Sequence, residues 1–319
     1  MGFEMNAMRH ATGRASAQSG PSVPEPGEAA IDFTRLFIAE VFTPLFHTRI
    51  YAGLPGAVRL RYNQLHALYF NEQIAFFEQG ILSPFLLALL RRSPPVDLEK
   101  GLRVFFAEEQ RHTAQFRELN LRCAPELYEG GERYFVSAPR ALDAAISAAA
   151  AQPFLFPLLI WLTLLQEERS LYWSRGCLEH ASELEPHFVA THRAHLADEI
   201  GHVRWDEDLL DWLWPRVGPA MRRLHAWLLR WMLGEYFLLP KRSSRRVIRQ
   251  LVAEYPFLDR QPLDREMDGL KSNPAFLATL YSREVTPRAY ARFAQHPEFA
   301  VLADILPALD RIYAAGFPS

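Results

Sequence analysis

The stretch His195-Leu-Ala-Asp-Glu199-Ile-Gly-His202 sets two imidazoles and one carboxylate within about 60° on one helix face, because residues three and four apart share a face. Such a face binds a metal or belongs to an unusually polar helix. Upstream, Glu109-Gln-Arg-His112 has the same Glu-x-x-His spacing, and single glutamates, Glu72 and Glu168, lie in apolar helical segments before and between the two motifs. In chain order the pattern is Glu, Glu-x-x-His, Glu, His-x-x-x-Glu-x-x-His. A four-helix bundle that holds two irons or manganeses takes one carboxylate from each of two helices and a Glu-x-x-His from each of the other two. The chain supplies that pattern and one additional histidine.

Helical phase selects among the glutamates. Phe105, Phe106 and Phe116 flank Glu109 at helical spacing, so Glu109 and His112 lie on an apolar, inward stripe. A buried glutamate without a partner is expensive, and a metal supplies the partner. Of the adjacent pair Glu167 and Glu168, Glu168 has the more apolar neighbours (Trp161, Leu164, Leu165, Leu171, Tyr172), which favours it as the ligand, with Glu167 as a flank. In the first helix Glu72 and Glu78 both lie among apolar residues but point about 120° apart, so only one can face the site. The aromatic surroundings of Glu72 favour it, and Glu78 stays as the alternative. Asp206, one turn after His202, is placed to orient a ligand imidazole, whereas Asp198 points elsewhere, to a cap or to solvent.

From Ala30 onward apolar residues recur at helical spacing almost everywhere, which predicts an all-α fold. The helical segments expected are 31–50, 57–91, 96–123, an alanine-rich helix opened by Ser137-Ala-Pro139, 153–182, 186–214 and 219–239. A basic turn, Lys241-Arg-Ser-Ser-Arg-Arg246, and several short helices over 247–319 follow. Residues 1–29, rich in Ser, Pro, Gly and Ala, read as a loose tail, and 30–319 as one helical domain whose ligand-bearing core spans about 57–214. The tryptophans between Trp205 and Trp231 are expected to pack helices, the basic cluster Lys241 to Arg249 to be a solvated helix start, and the aromatics around the first two ligand helices to form core first and pocket second.

The charge balance, 35 basic against 37 acidic residues in 319, gives no field for nucleic acid or anionic lipid. Cys123 and Cys177 lack a C-x-x-C or zinc spacing, which fits a reducing cytoplasm. The most apolar run, Phe154 to Leu165, is too short to span a bilayer, and a cytoplasmic protein is expected. A mixed carboxylate and imidazole set favours iron or manganese over zinc or copper. No Gly-rich nucleotide loop and no Fe-S cysteine set is visible, so electrons are expected from an external donor.

These motifs resemble the ferritin-like diiron oxygenases typified by p-aminobenzoate N-oxygenase, in which the fourth ligand helix carries His-x-x-x-Glu-x-x-His. His195, Glu199 and His202 match that motif, Glu109 and His112 the second-helix motif, and Glu168 the lone glutamate of the third helix; Glu72 is the counterpart taken for the first. The resemblance covers about residues 30–240. It implies a ferritin-like bundle core with additional N- and C-terminal helices, two irons at Glu72, Glu109, His112, Glu168, His195, Glu199 and His202, and O2 as co-substrate. It further implies oxidation of an amine, free or carrier-bound, to hydroxylamine, nitroso or nitro compounds in specialised-metabolite biosynthesis, an external reductase and a homodimer. The alternatives left by the residues alone are a diiron hydroxylase or desaturase acting on carbon, which would share every ligand, and a non-catalytic ferritin-like metal-binding protein.

Overall fold

Prolines and glycines cut an otherwise continuously helical sequence into rods whose lengths decide what can cross the core. The computed structural model describes residues 29–136, 140–238, 241–306 and 309; the expected N-terminal tail and the Ser137-Ala-Pro139 helix opening lie outside them. The elements are α1 (Gly56–Phe77), a π-helical turn (Glu78–Leu82), α2 (Ser83–Leu90), α3 (Val96–Cys123), α4 (Arg140–Ala150), α5 (Phe156–Glu179), α6 (Pro186–Leu213), α7 (Pro219–Met232), a second π turn (Leu233–Phe237), α8 (Lys241–Glu254), α9 (Arg260–Gly269), α10 (Pro274–Ala278) and α11 (Pro287–Phe293). Among the described residues there is no strand, only an isolated bridge between Leu36 and Leu184.

The four long rods form the bundle: α1 packs on α3, α3 on α6, and α6 on α5. α5 is buried almost all round, with Leu158, Leu159, Ile160, Trp161, Leu162, Leu164 and Leu165 in the core. Each such side chain contributes about 1.5–3 kcal/mol of burial, and a helix apolar on every side has to lie in the middle. Helices α7 to α11 wrap the outside, α7 and α11 against α5 and α8 against α1. The long rod Gly56–Leu90 is long and apolar enough to cross a membrane, but half of its most apolar window is buried inside the protein.

The ends of the ligand helices are set locally. Pro186 opens α6, and the Glu185 side chain accepts from His187 N and Phe188 N, fixing the phase of the His195 face about two turns further on. α3 follows Pro95, carries Asp97 and Glu99 in its first turn where the helix dipole favours anions, and stops before Pro125. Two expectations are corrected. Residues 31–50 hold short 3-10 turns, Glu40–Phe42 and Pro44–His47, because extended Thr43 before Pro44 interrupts the apolar spacing. The basic stretch from Lys241, read both as a turn and as a helix start, is the start of α8 and not a turn, and there Arg245 pairs with Asp268 and Arg246 lies over the Tyr134 ring.

Candidate metal centre

Between α3, α5, α6 and the first π turn, the bundle buries four carboxylates and three imidazoles: Glu78, Glu109, His112, Glu167, His195, Glu199 and His202, none more than 4% exposed. α6 places His195, Glu199 and His202 on its inner face. Glu199 stands in the middle. Its Oε1 lies 2.7 Å from His195 Nε2 and 3.4 Å from His112 Nδ1, and its Oε2 lies 3.3 Å from His202 Nδ1. His202 Nδ1 is also 2.9 Å from Glu109 Oε1 and 3.8 Å from Glu167 Oε2, while Glu78 Oε1 is 3.6 Å from His195 Nε2. Two groups of four can each hold a metal ion: Glu78, His112, His195 and Glu199, and Glu109, His112, Glu199 and His202.

The orientation of these atoms matters more than their closeness. Both oxygens of Glu109, Glu199 Oε2, His112 Nδ1, His195 Nε2 and His202 Nδ1 are buried and none completes a hydrogen bond. Lone pairs that crowd together without bonding one another converge on a common point, a donor set that fits metal cations. Each imidazole is held by its other nitrogen. His112 Nε2 is 3.0 Å from Asp198 Oδ2, which Arg111 also holds; His202 Nε2 is 3.1 Å from Glu108 Oε2; His195 Nδ1 is 3.3 Å from Ser170 Oγ. Protons on the outward nitrogens of His112 and His202 leave the inward lone pairs free for a metal. Phe105 stacks on the His202 ring at 4.1 Å and Phe116 meets His195 edge-on at 5.1 Å.

Buried together, these groups shift one another's protonation. Burial, then the neighbouring Glu109, pushes Glu78 up to about 7, and burial with Glu199 pushes Glu167 well above the usual carboxylate range. Burial opposes the charge on Glu199 too, but His195 and His202 outweigh it and hold Glu199 well below that range. In His195 burial disfavours the proton, yet Glu199 and Glu78 win and raise it to about 10.

Five of the expected residues, Glu109, His112, His195, Glu199 and His202, meet here. Glu72 and Glu168 do not. Glu72 is buried, but its carboxylate accepts from Tyr134 N, Phe135 N, Val136 N and Tyr128 Oη at 2.7–3.0 Å, pinning the 134–136 strap to the bundle. Glu168 accepts from Arg288 N and Ala289 N, both at 2.8 Å, at the start of α11. Glu78 and Glu167 take their places. Asp206, expected to orient an imidazole, is fully buried with neither oxygen hydrogen-bonded, and Asp198, expected to point away, holds His112. The sequence carries a signal for this: each inner Glu-x-x-His is preceded by an acid, Glu108 and Asp198, and each acid reaches the histidine of the other helix.

A cavity of about 480 Å3 reaches the cluster, with Glu78, Glu167 and His195 in its wall among Phe70, Phe77 and Ile81. The family model for p-aminobenzoate N-oxygenase AurF matches residues 23–249. The chain belongs to this family. The matched span contains all seven clustered residues and ends within α8. No curated protein and no solved structure matches the chain. The family is one of diiron oxygenases, and the buried glutamates and histidines can hold metal ions.

Proposed function

We propose that Glu78, Glu109, His112, Glu167, His195, Glu199 and His202 hold two irons and that the protein N-oxygenates an amine, in specialised-metabolite biosynthesis. The observation that carries the reading is Glu199, whose two oxygens face different histidines and so suit a bridge between two ions. Two irons bound there would supply O2 activation. The chain's own residues do the rest. Asp198, Glu108 and Ser170 orient the imidazoles. Phe70, Phe77 and Ile81 keep water from the cavity side and favour the neutral amine, whose nitrogen lone pair is needed to form an N–O bond. Inserting one oxygen atom while the other leaves as water requires two electrons, so an external reductase is part of the proposal, as are a homodimer and a cytoplasmic location.

Iron content per chain, followed by product analysis after reduction and exposure to O2 with a panel of amines, tests the reading. About two irons, and hydroxylamine, nitroso or nitro products, are expected. Products oxidised only at carbon would assign the protein to hydroxylation, and no iron uptake under anaerobic reconstitution would refute the centre.

A further inference from the structure

The ring contacts of the clustered histidines reach solvent at one place. Besides one another, the rings that meet them among the described residues are Phe105 and Trp205 on His202 and Phe116 on His195. Phe105 and Phe116 are buried, whereas Trp205 is only half-buried. The Trp205 ring stacks on His202 at 5.8 Å and lies 5.7 Å from Phe105, which itself stacks on His202 at 4.1 Å. The three planes are tilted by only 26–32° from one another. Aromatic contact is therefore continuous from the surface to an imidazole of the centre.

α3 gives up a side chain to admit this ring. A Cβ on Gly101 would fall 2.7 Å from Trp205 Nε1, and glycine inside a helix costs about 0.5–1 kcal/mol relative to alanine. Packing explains an apolar side chain in the seam between α3 and α6. It does not explain a ring that meets a metal-facing imidazole on one side and solvent on the other. The cavity lies elsewhere: its wall holds Glu78, Glu167 and His195, and neither Trp205 nor any residue of α3. A substrate in the cavity and an electron donor at Trp205 would not compete for one path.

We propose that Trp205 is the residue through which electrons enter the centre, by way of His202. The donor is a one-electron carrier of the iron-sulfur or flavin type. Each electron leaves the donor, crosses the indole and the imidazole, and reduces one ferric ion to ferrous. Two such transfers supply the two electrons that the proposed N-oxygenation consumes, and Trp205 ends each transfer as it began. Tunnelling slows steeply as a gap widens, and rings in contact keep the gaps narrow. This deepens the proposed function and rests on it for the irons alone.

The test is photoreduction of the ferric protein without O2 or amine, so it reads no turnover. Cys123 and Cys177 are buried, so an introduced cysteine is the point of attachment for a ruthenium tris-bipyridine label driven by ascorbate. Val104→Cys puts the label on an exposed position of α3, three residues after Gly101. Ile200→Cys puts it on an exposed position of α6 beside Glu199, about 140° round that helix from Trp205. Trp205→Leu leaves a gap in the seam and should slow bleaching of the ferric absorption roughly tenfold from the Val104 label, and less than about twofold from the Ile200 label. A merely structural role for Trp205 would move both alike. Trp205→Phe, which keeps a ring, should restore part of the rate, and the same pair of labels decides the question in that variant if Trp205→Leu does not load iron. No slowing, or equal slowing from both labels, would overturn the proposal and leave the centre standing. Failure of the unsubstituted protein to take up iron would refute the centre and this proposal together.

Discussion

Glu108 and Asp198 are reciprocal: each lies immediately before the glutamate of its own Glu-x-x-His, and each bonds the outward nitrogen of the histidine on the opposite helix, at 3.1 Å and 3.0 Å. Arg111 lies between them, 2.6 Å from Asp198 and 3.9 Å from Glu108. The seam between α3 and α6 is thereby tied through the same imidazoles that face the site.

Replacing Asp198 by Asn should therefore loosen the centre without unfolding the helix. Asn can still meet His112 but cannot favour its protonated outward nitrogen as an anion does. Iron affinity, read by competition with a chelator, should fall roughly 10- to 100-fold. Unchanged affinity in both Asp198→Asn and Glu108→Gln would remove the two acids from the site.

The pairs Glu72 and Glu78, and Glu168 and Glu167, should separate stability from metal binding. Glu78→Ala and Glu167→Ala should abolish binding of at least one iron while leaving the metal-free fold as stable or more so, since each deletes a buried carboxylate crowded by others. Glu72→Ala strands three backbone N–H groups and should cost about 2–4 kcal/mol in urea unfolding, with iron uptake retained by whatever folds. An iron-binding defect specific to Glu72→Ala would reverse the assignment.

Glu168 gives a pH dependence outside the centre. Burial raises it to about 7, against the two amides that favour its charge. A raised carboxyl contributes stability that is present below about pH 4.5 and is lost as pH rises through about 7. Glu168→Gln does not titrate, so its stability deficit relative to wild type should shrink between pH 5 and pH 7.5, by about 2 kcal/mol in the metal-free protein. A constant difference across that range would contradict the placement of this side chain.

Two glycines facing one tryptophan should respond oppositely to alanine. A Cβ on Gly101 would fall 2.7 Å from Trp205 Nε1, whereas on Gly201 the nearest atom of the same ring would be 3.8 Å away. Alanine gains about 1 kcal/mol of helix propensity at either site. At Gly201 that gain should appear as a small rise in Tm. At Gly101 the rigid indole, tilted on Phe105 and stacked on His202, has to move, and overpacking of about 1–3 kcal/mol should outweigh it. Equal Tm values for the two variants would show that the ring yields freely.

The two motifs were legible because their residues are close in sequence and a helix converts spacing into a shared face. The lone glutamates were not. Apolar neighbours report burial, and Glu72, Glu78, Glu167 and Glu168 are all buried, so that test had nothing to separate. What distinguishes them is the partner, and the partners are remote: the amides that occupy Glu72 lie 62 to 64 residues on, and those of Glu168 lie 120 and 121 residues on. The ring of helices was readable from periodicity for the same reason as the motifs, while the 3-10 turns before α1 depend on where Thr43 and Pro44 break it.

The π turn at Glu78–Leu82 amounts to one residue more than an α-helix needs over that length. Upstream and downstream faces of the rod Gly56–Leu90 are consequently out of phase by about 100°, so a single helical wheel drawn through it superposes two different insides. Shortening the turn by one residue, at Gly80, would leave a regular helix with Phe85 and Leu89 still on the core, whereas winding the same residues as α-helix would swing them about 100° away. The inserted residue thus reconciles the bearing of Glu78 with the packing of α2 on a single rod.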